Sequence, residues 1–209
     1  YDMVEGHLIG VETGRTADVL IAFLNRLPKD TADGIEAVAM DMGPSYQKAV
    51  REVLPNADIV FDKFHVVKNY SDVIKNQRRI EFRRANKSGK ELLKGSHYLL
   101  LKNEKKLTDT QSEQLQNILE ENQNLNILYL MKEQLQALWN NEDYDTMTAE
   151  LEQWCTLAEQ TNMTYLKSFA KSLRKNKVGI CNYAKHQLTS ARIEAGNVSI
   201  GLIRKRARG

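Results

Sequence analysis

The sequence predicts an α/β unit that gives way to a long block of helices. Through residue 64, short apolar runs alternate with helical stripes and turn residues. Beyond it, apolar residues recur at spacings of three and four, and no proline follows Pro55. Alternating strand and helix patterns indicate a mostly parallel or mixed sheet. A proline-free stretch of helical period indicates packed helices.

Taken in order, residues 2–6 read as a hairpin turn and residues 7–11 as a short strand, followed by the turn Thr13-Gly14-Arg15. Leu20, Ile21, Phe23, Leu24 and Leu27 make a helical stripe. A break at residues 31–34 precedes a buried strand over 35–40. Residues 46–54 form a helix stopped by Pro55, and residues 57–61 form a second buried strand. Residues 66–82 then form a long, basic, amphipathic helix. From about 107 to 185 the pattern is helical throughout. Leu128, Met131, Leu135 and Leu138 carry one stripe, and Leu166, Phe169 and Leu173 another. Thr108-Asp109-Thr110 with Glu113 resembles a capped helix start. Tyr129, Trp139, Trp154 and Phe169 are expected to pack the helical core.

Composition narrows the class. A chain of 209 residues is one ordinary domain or one domain with a large insertion. Hydrophobic residues at 42% and charged residues at 27% exclude collagen-like, mucin-like and wholly disordered chains. No run approaches the roughly 18 apolar residues of a membrane span. The start lacks the basic–apolar–small pattern of a secretory signal. Cys155 and Cys181 make no disulfide framework. A cytoplasmic protein with no membrane partner is expected. The opening Tyr1 and the closing run Arg204-Lys205-Arg206-Ala207-Arg208-Gly209 read as a piece of a longer protein. Net charge is only +3, so the distribution of charge says more than its sum.

The residues with chemistry gather at strand ends. Asp41 follows one apolar strand and Asp62 the other, and in open α/β sheets ligands and catalytic groups collect there. The plainer reading of either Asp taken alone is a cap on the next helix. Asp62 and His65 are three residues apart, so carboxylate and imidazole can meet on one helical turn. The pair could fix the imidazole tautomer or orient a phosphate or water. Glu194 and Asn197 lie one turn apart on a helix pattern. Histidine and cysteine spacing argues against zinc. Positive charge clusters at Lys68, Lys75, Arg78, Arg79, Arg83, Arg84, Lys87, Lys90 and Lys94, and again at the C-terminal run. Such runs are either solvated helix faces or phosphate contacts.

The order of these pieces resembles the DDE transposases of bacterial insertion sequences, specifically the ISL-three family. The resemblance rests on Gly14-Arg15, on Val38-Ala39-Met40-Asp41-Met42 with Tyr46, and on the run from Pro55 to Lys68. That run reads Pro-x-Ala-x-x-x-x-Asp-x-Phe-His-x-x-Lys. Arg78-Arg79, Tyr98-Leu99-Leu100-Leu101-Lys102, Leu128-Tyr129-Leu130-Met131-Lys132-Glu133, and Ile193-Glu194-Ala195-Gly196-Asn197 with the basic run continue it. The resemblance covers almost the whole chain.

It implies an α/β, ribonuclease-H-like core, partial at its N-terminus, with a large all-α insertion. Residues 1–75 would be the first part of the core, 76–185 the insertion, and 186–209 the final helix carrying the third acidic residue. Asp41 would be the second catalytic carboxylate and Glu194 the third. Both would bind Mg2+ (or Mn2+), and Asp62 with His65 would form an accessory catalytic motif. Cleavage and strand transfer of this type use two divalent cations about 4 Å apart. The family's first catalytic Asp lies upstream of the hairpin with which Asp2 aligns, so the 209-residue chain is expected to be inactive alone. Ser190 stands where the family usually has Asn. DNA, both transposon ends and target, would be the partner of Lys68, Arg78, Arg79, Arg83, Arg84, Asn197, Arg204, Lys205 and Arg206. A homo-oligomer is expected. The alternative is a non-catalytic DNA-binding or helical interaction protein derived from a transposase.

Overall fold

The computed structural model describes residues 2, 3 and 5–188. They form two compact units. One comprises residues up to His65 together with those from Val178 onward; the other is Val66–Lys177. The resemblance implied junctions further along, at 75/76 and 185/186.

The first unit carries α1 (Ala17–Leu24), α2 (Lys29–Asp33), β1 (Ala37–Met40), α3 (Pro44–Val53) and β2 (Asp58–Phe61). It also holds the first turn of α4 (Lys63–Arg84) and most of α11 (Lys177–His186). Thr16 starts α1 by accepting a hydrogen bond from the Val19 N–H, satisfying one of the amides a helix leaves open at its N-terminus. Pro44 sits in the first turn of α3, where a missing N–H costs nothing. β1 and β2 pair in parallel, from Ala37 opposite Asp58 to Met40 opposite Phe61. Leu24, Val50 and Leu54 are the buried centre between α1, α3 and the sheet. Phe23, Val38, Met40 and Ile59 pack around them half-buried. The residues expected to break the chain at 31–34 instead fall largely in α2.

One expected strand is absent. Residues 7–11 have no strand pairing, and Leu8, Ile9 and Val11 are 49%, 49% and 68% exposed. An apolar run becomes a strand only when a partner takes its backbone groups, and among the described residues β1 pairs only with β2. The preceding turn does form. Asp2 N–H donates to the His7 carbonyl at 2.8 Å and Gly6 N–H to that of Asp2 at 3.0 Å. Gly6 takes φ 79°, which glycine adopts without strain.

The second unit is all helical. α4 is followed by α5 (Lys87–Leu93), α6 (His97–Leu101), α7 (Asp109–Glu121), α8 (Gln123–Ala137), α9 (Tyr144–Gln160) and α10 (Thr164–Lys175). Side-chain oxygens of Asn86, Thr108, Asn122 and Asp143 cap α5, α7, α8 and α9. The box at Thr108 closes through Gln111, not the Glu113 that the sequence suggested, because Gln111 occupies the third helical position. Tyr70, Trp154 and Phe169 form an aromatic triad with centroids 5.3–5.8 Å apart. Both polar aromatics find partners inside the core: Tyr70 donates to the Leu128 carbonyl at 2.8 Å and Trp154 to that of Met131 at 2.9 Å. Burial drives the Tyr70 phenol well above its ordinary pKa. Tyr129, Trp139, Trp154 and Phe169 are all buried, as are both free cysteines. No helix among the described residues is long and apolar enough to cross a membrane.

Candidate active site

The site follows from strand register. Met40 and Phe61 are partners at the carboxyl ends of two parallel strands. The next residue of each strand, Asp41 and Asp62, therefore leaves the sheet at the same end. The Asp62 N–H extends the ladder by one bond, to the Met40 carbonyl at 3.0 Å.

The two carboxylates sit in different surroundings. Asp41 is exposed, and its Oδ1 accepts the Gly43 N–H at 3.3 Å in the turn entering α3. A Cβ at position 43 would lie 3.0 Å from that oxygen, so glycine keeps the turn open. Asp62 is only 2% exposed. Its Oδ2 lies 2.8 Å from Nδ1 of His65, in the first turn of α4. The i,i+3 spacing read from the sequence thus brings carboxylate and imidazole together. The ring is 37% exposed, so its far side is open to a ligand.

Asp41, Asp62 and His65 line one cavity of about 530 Å3. Tyr46, Glu12 and the ring of Phe23 line it too. Glu12 was not marked by any sequence signal; it lies in a loop and is ion-paired with Arg26. Tyr46 is placed by the first turn of α3. Asp41 offers a hard oxygen donor of the kind Mg2+ and Mn2+ prefer. Among the described residues no group of three or more His, Cys, Asp or Glu side chains could hold a metal ion. Glu194, Asn197, Arg204, Lys205 and Arg206 lie outside the described residues.

The basic residues of α4 belong to the helical unit. Lys68, Arg79, Arg83 and Arg84 are exposed. Arg78 is half-buried, donates to the Leu93 carbonyl at 2.9 Å and lies 6.0 Å from the centre of the Phe82 ring. Part of its role is therefore to hold α5 against α4.

Two acidic residues thus leave the ends of parallel strands, and an Asp–His pair joins sheet to helix. Comparisons with known proteins place the chain in a family. The family model for ISL-three DDE transposases, described as Transposase, matches residues 1–209, and the chain belongs to that family. It is 30% identical over 211 residues to the transposase for insertion sequence element IS1001 of Bordetella parapertussis, covering 100% of this chain and 52% of the relative. It is 26% identical over 231 residues to the transposase for insertion sequence element IS1557 of Mycobacterium tuberculosis, again over 52% of the relative. The chain thus spans about half the length of the curated relatives it matches. No solved structure matches.

Proposed function

We propose that this chain is part of the catalytic domain of a transposase that cuts and joins DNA in a metal-dependent reaction, on a ribonuclease-H-like core interrupted by the helical unit. The observation that carries this is the convergence of Asp41, Asp62 and His65 on one cavity at the carboxyl end of the sheet.

The residues divide the work by exposure. Asp41, exposed at the cavity, is the metal-binding carboxylate, joined by Glu194. When bound, Mg2+ would polarise the scissile phosphate and lower the pKa of attacking water. Asp62 is too buried to reach DNA and serves as a positioning residue. Its oxygen accepts the Nδ1–H, which sets the His65 tautomer and leaves Nε2 to accept from a water or, in the imidazolium form, to donate to a phosphate oxygen. Phosphate contacts are assigned to Lys68, Arg79, Arg83 and Arg84, with lesser weight on Arg78 because of its bond to Leu93.

The test is transposition of an element whose full-length protein carries Asp41→Asn, Glu194→Gln or His65→Ala. Both carboxylate variants should fall to background while remaining soluble and DNA-binding. Wild-type frequency in Asp41→Asn would exclude the catalytic reading in favour of a purely DNA-binding or interaction role.

A further inference from the structure

The five-residue helix α6 is pinned far more firmly than its length requires. At its start, the Leu93 carbonyl accepts the Arg78 guanidinium at 2.9 Å, the Ser96 hydroxyl at 2.8 Å and the Ser96 N–H at 3.3 Å. Ser96 is 1% exposed, and Gly95 turns the chain there with φ 73°. At its end, Lys132 reaches up from α8. The Lys132 ammonium donates to the carbonyls of Leu100 and Lys102 at 3.1 and 3.0 Å, though the residue is only 3% exposed. Burying a lysine is costly, and here it fixes the last carbonyls of a single short helix.

What this anchoring presents is an aromatic ledge. Tyr98 is 72% exposed, and its ring lies 3.6 Å from that of His97, centroid to centroid, at 42°. The ledge faces positive charge. Burial, then Arg78 and Lys75 on α4, lower the pKa of His97. Lys94 is exposed at the end of α5, and Lys75 is bonded to Asp72 at 3.1 Å.

We propose that α6 is a stacking site for unpaired bases of a single DNA strand, with Tyr98 as the platform and Lys75, Arg78 and Lys94 beside the phosphates. The inference rests on the DNA reading above and deepens it. An exposed ring stacks on the face of a base, and in a duplex that face is covered by its neighbours; only an unpaired base offers it. Arg78 retains N–H groups after its bond to Leu93, since a guanidinium has five.

The test is fluorescence anisotropy of the 209-residue chain with labelled oligo-dT and with a duplex of the same length, at moderate salt. Tyr98→Ala should weaken oligo-dT binding about tenfold, leave duplex binding within about twofold, and keep the wild-type circular dichroism. Tyr98→Phe should bind as wild type. Oligo-dT carrying 5-bromodeoxyuridine should photo-crosslink to the peptide containing Tyr98. Unchanged oligo-dT affinity in Tyr98→Ala, or crosslinks confined to other peptides, overturns the inference. If Arg83→Ala/Arg84→Ala still weakens the duplex in that case, the DNA reading itself survives. Absence of binding to either oligonucleotide overturns both. Loss of self-association in Tyr98→Ala, with oligo-dT affinity intact, would instead make the ledge a protein interface.

Discussion

The two units of this chain are built on different principles. The helical unit is one continuous stretch, Val66–Lys177, held by local side-chain caps at the starts of α5, α7, α8 and α9 and by the Tyr70–Trp154–Phe169 triad. The α/β unit joins two stretches more than a hundred residues apart in sequence. β1 contains no fully buried residue, while β2 buries only Val60 and Phe61. Among the described residues, individual side chains tie its distant piece to the sheet. Asn182 donates to the Ile59 carbonyl at 3.0 Å, His186 lies 2.9 Å from Asp58, and Gly179 packs on the Phe61 ring. The residues proposed for chemistry all belong to this second kind of unit. Non-local closure is slow to form and easy to open locally, so site formation should be more sensitive to perturbation than the helical scaffold.

The largest expected effect sharpens that contrast from the helical side. Trp154→Ala removes the centre of the triad and the bond to Met131, and should cost about 3–5 kcal/mol. Trp139 would then be the remaining tryptophan, also in the helical unit, so the urea midpoint read by its fluorescence should collapse. Hydrogen exchange at 58–61 should change much less. Equal loss in both places would mean that the units unfold as one.

The reciprocal perturbation is Gly179→Val. A Cβ at 179 would stand 2.5 Å from Phe61 ring atoms, closer than side chains tolerate, and overpacking of this kind costs about 1–3 kcal/mol. Faster exchange at 58–61, with an unaltered tryptophan midpoint, is the expected result. An unchanged exchange pattern would show that α11 does not brace β2. Smaller again is Thr108→Ala, which removes the capping box of α7 and should lower the tryptophan-detected stability by about 1 kcal/mol.

The same division explains what the sequence disclosed. Helical periodicity is a local signal, and the stripes at Leu128–Leu135 and Leu166–Leu173 found their buried faces as read. Strands β1 and β2 were legible from short apolar runs, and the pairing of Asp62 with His65 from i,i+3 spacing. Residues 7–11 carried an equally good strand pattern and formed none, because pairing depends on a partner that pattern does not specify. Glu12 entered the cavity lining unseen for the same reason: nothing in its neighbours reports that a loop closes over the strand ends. The identity of Arg78 as a partly structural cation was likewise invisible, since its acceptor is a carbonyl fifteen residues away.

The finest probe of the comparison is the pH dependence of the joint between β2 and α11. The His186 ring beside Asp58, and then the charge of Lys185, hold the Asp58 carboxyl below its ordinary value against an opposing effect of burial. A carboxyl with a lowered folded pKa binds fewer protons in the native state than in the unfolded one. Its contribution is therefore fully present above the unfolded value of about 3.9 and disappears as pH falls through the lower folded value. Asp58→Asn should speed exchange at 58–61 at neutral pH, and the difference from wild type should close below the carboxylate range. His186→Leu removes the largest cause, so the Asp58 carboxyl, followed by carbon NMR, should titrate nearer its ordinary value. An unmoved titration would assign the hold to Lys185 and leave His186 as packing alone. The helical unit supplies the internal control, because none of its residues makes a bond to Asp58 in this joint, and its tryptophan signal should be indifferent to either substitution.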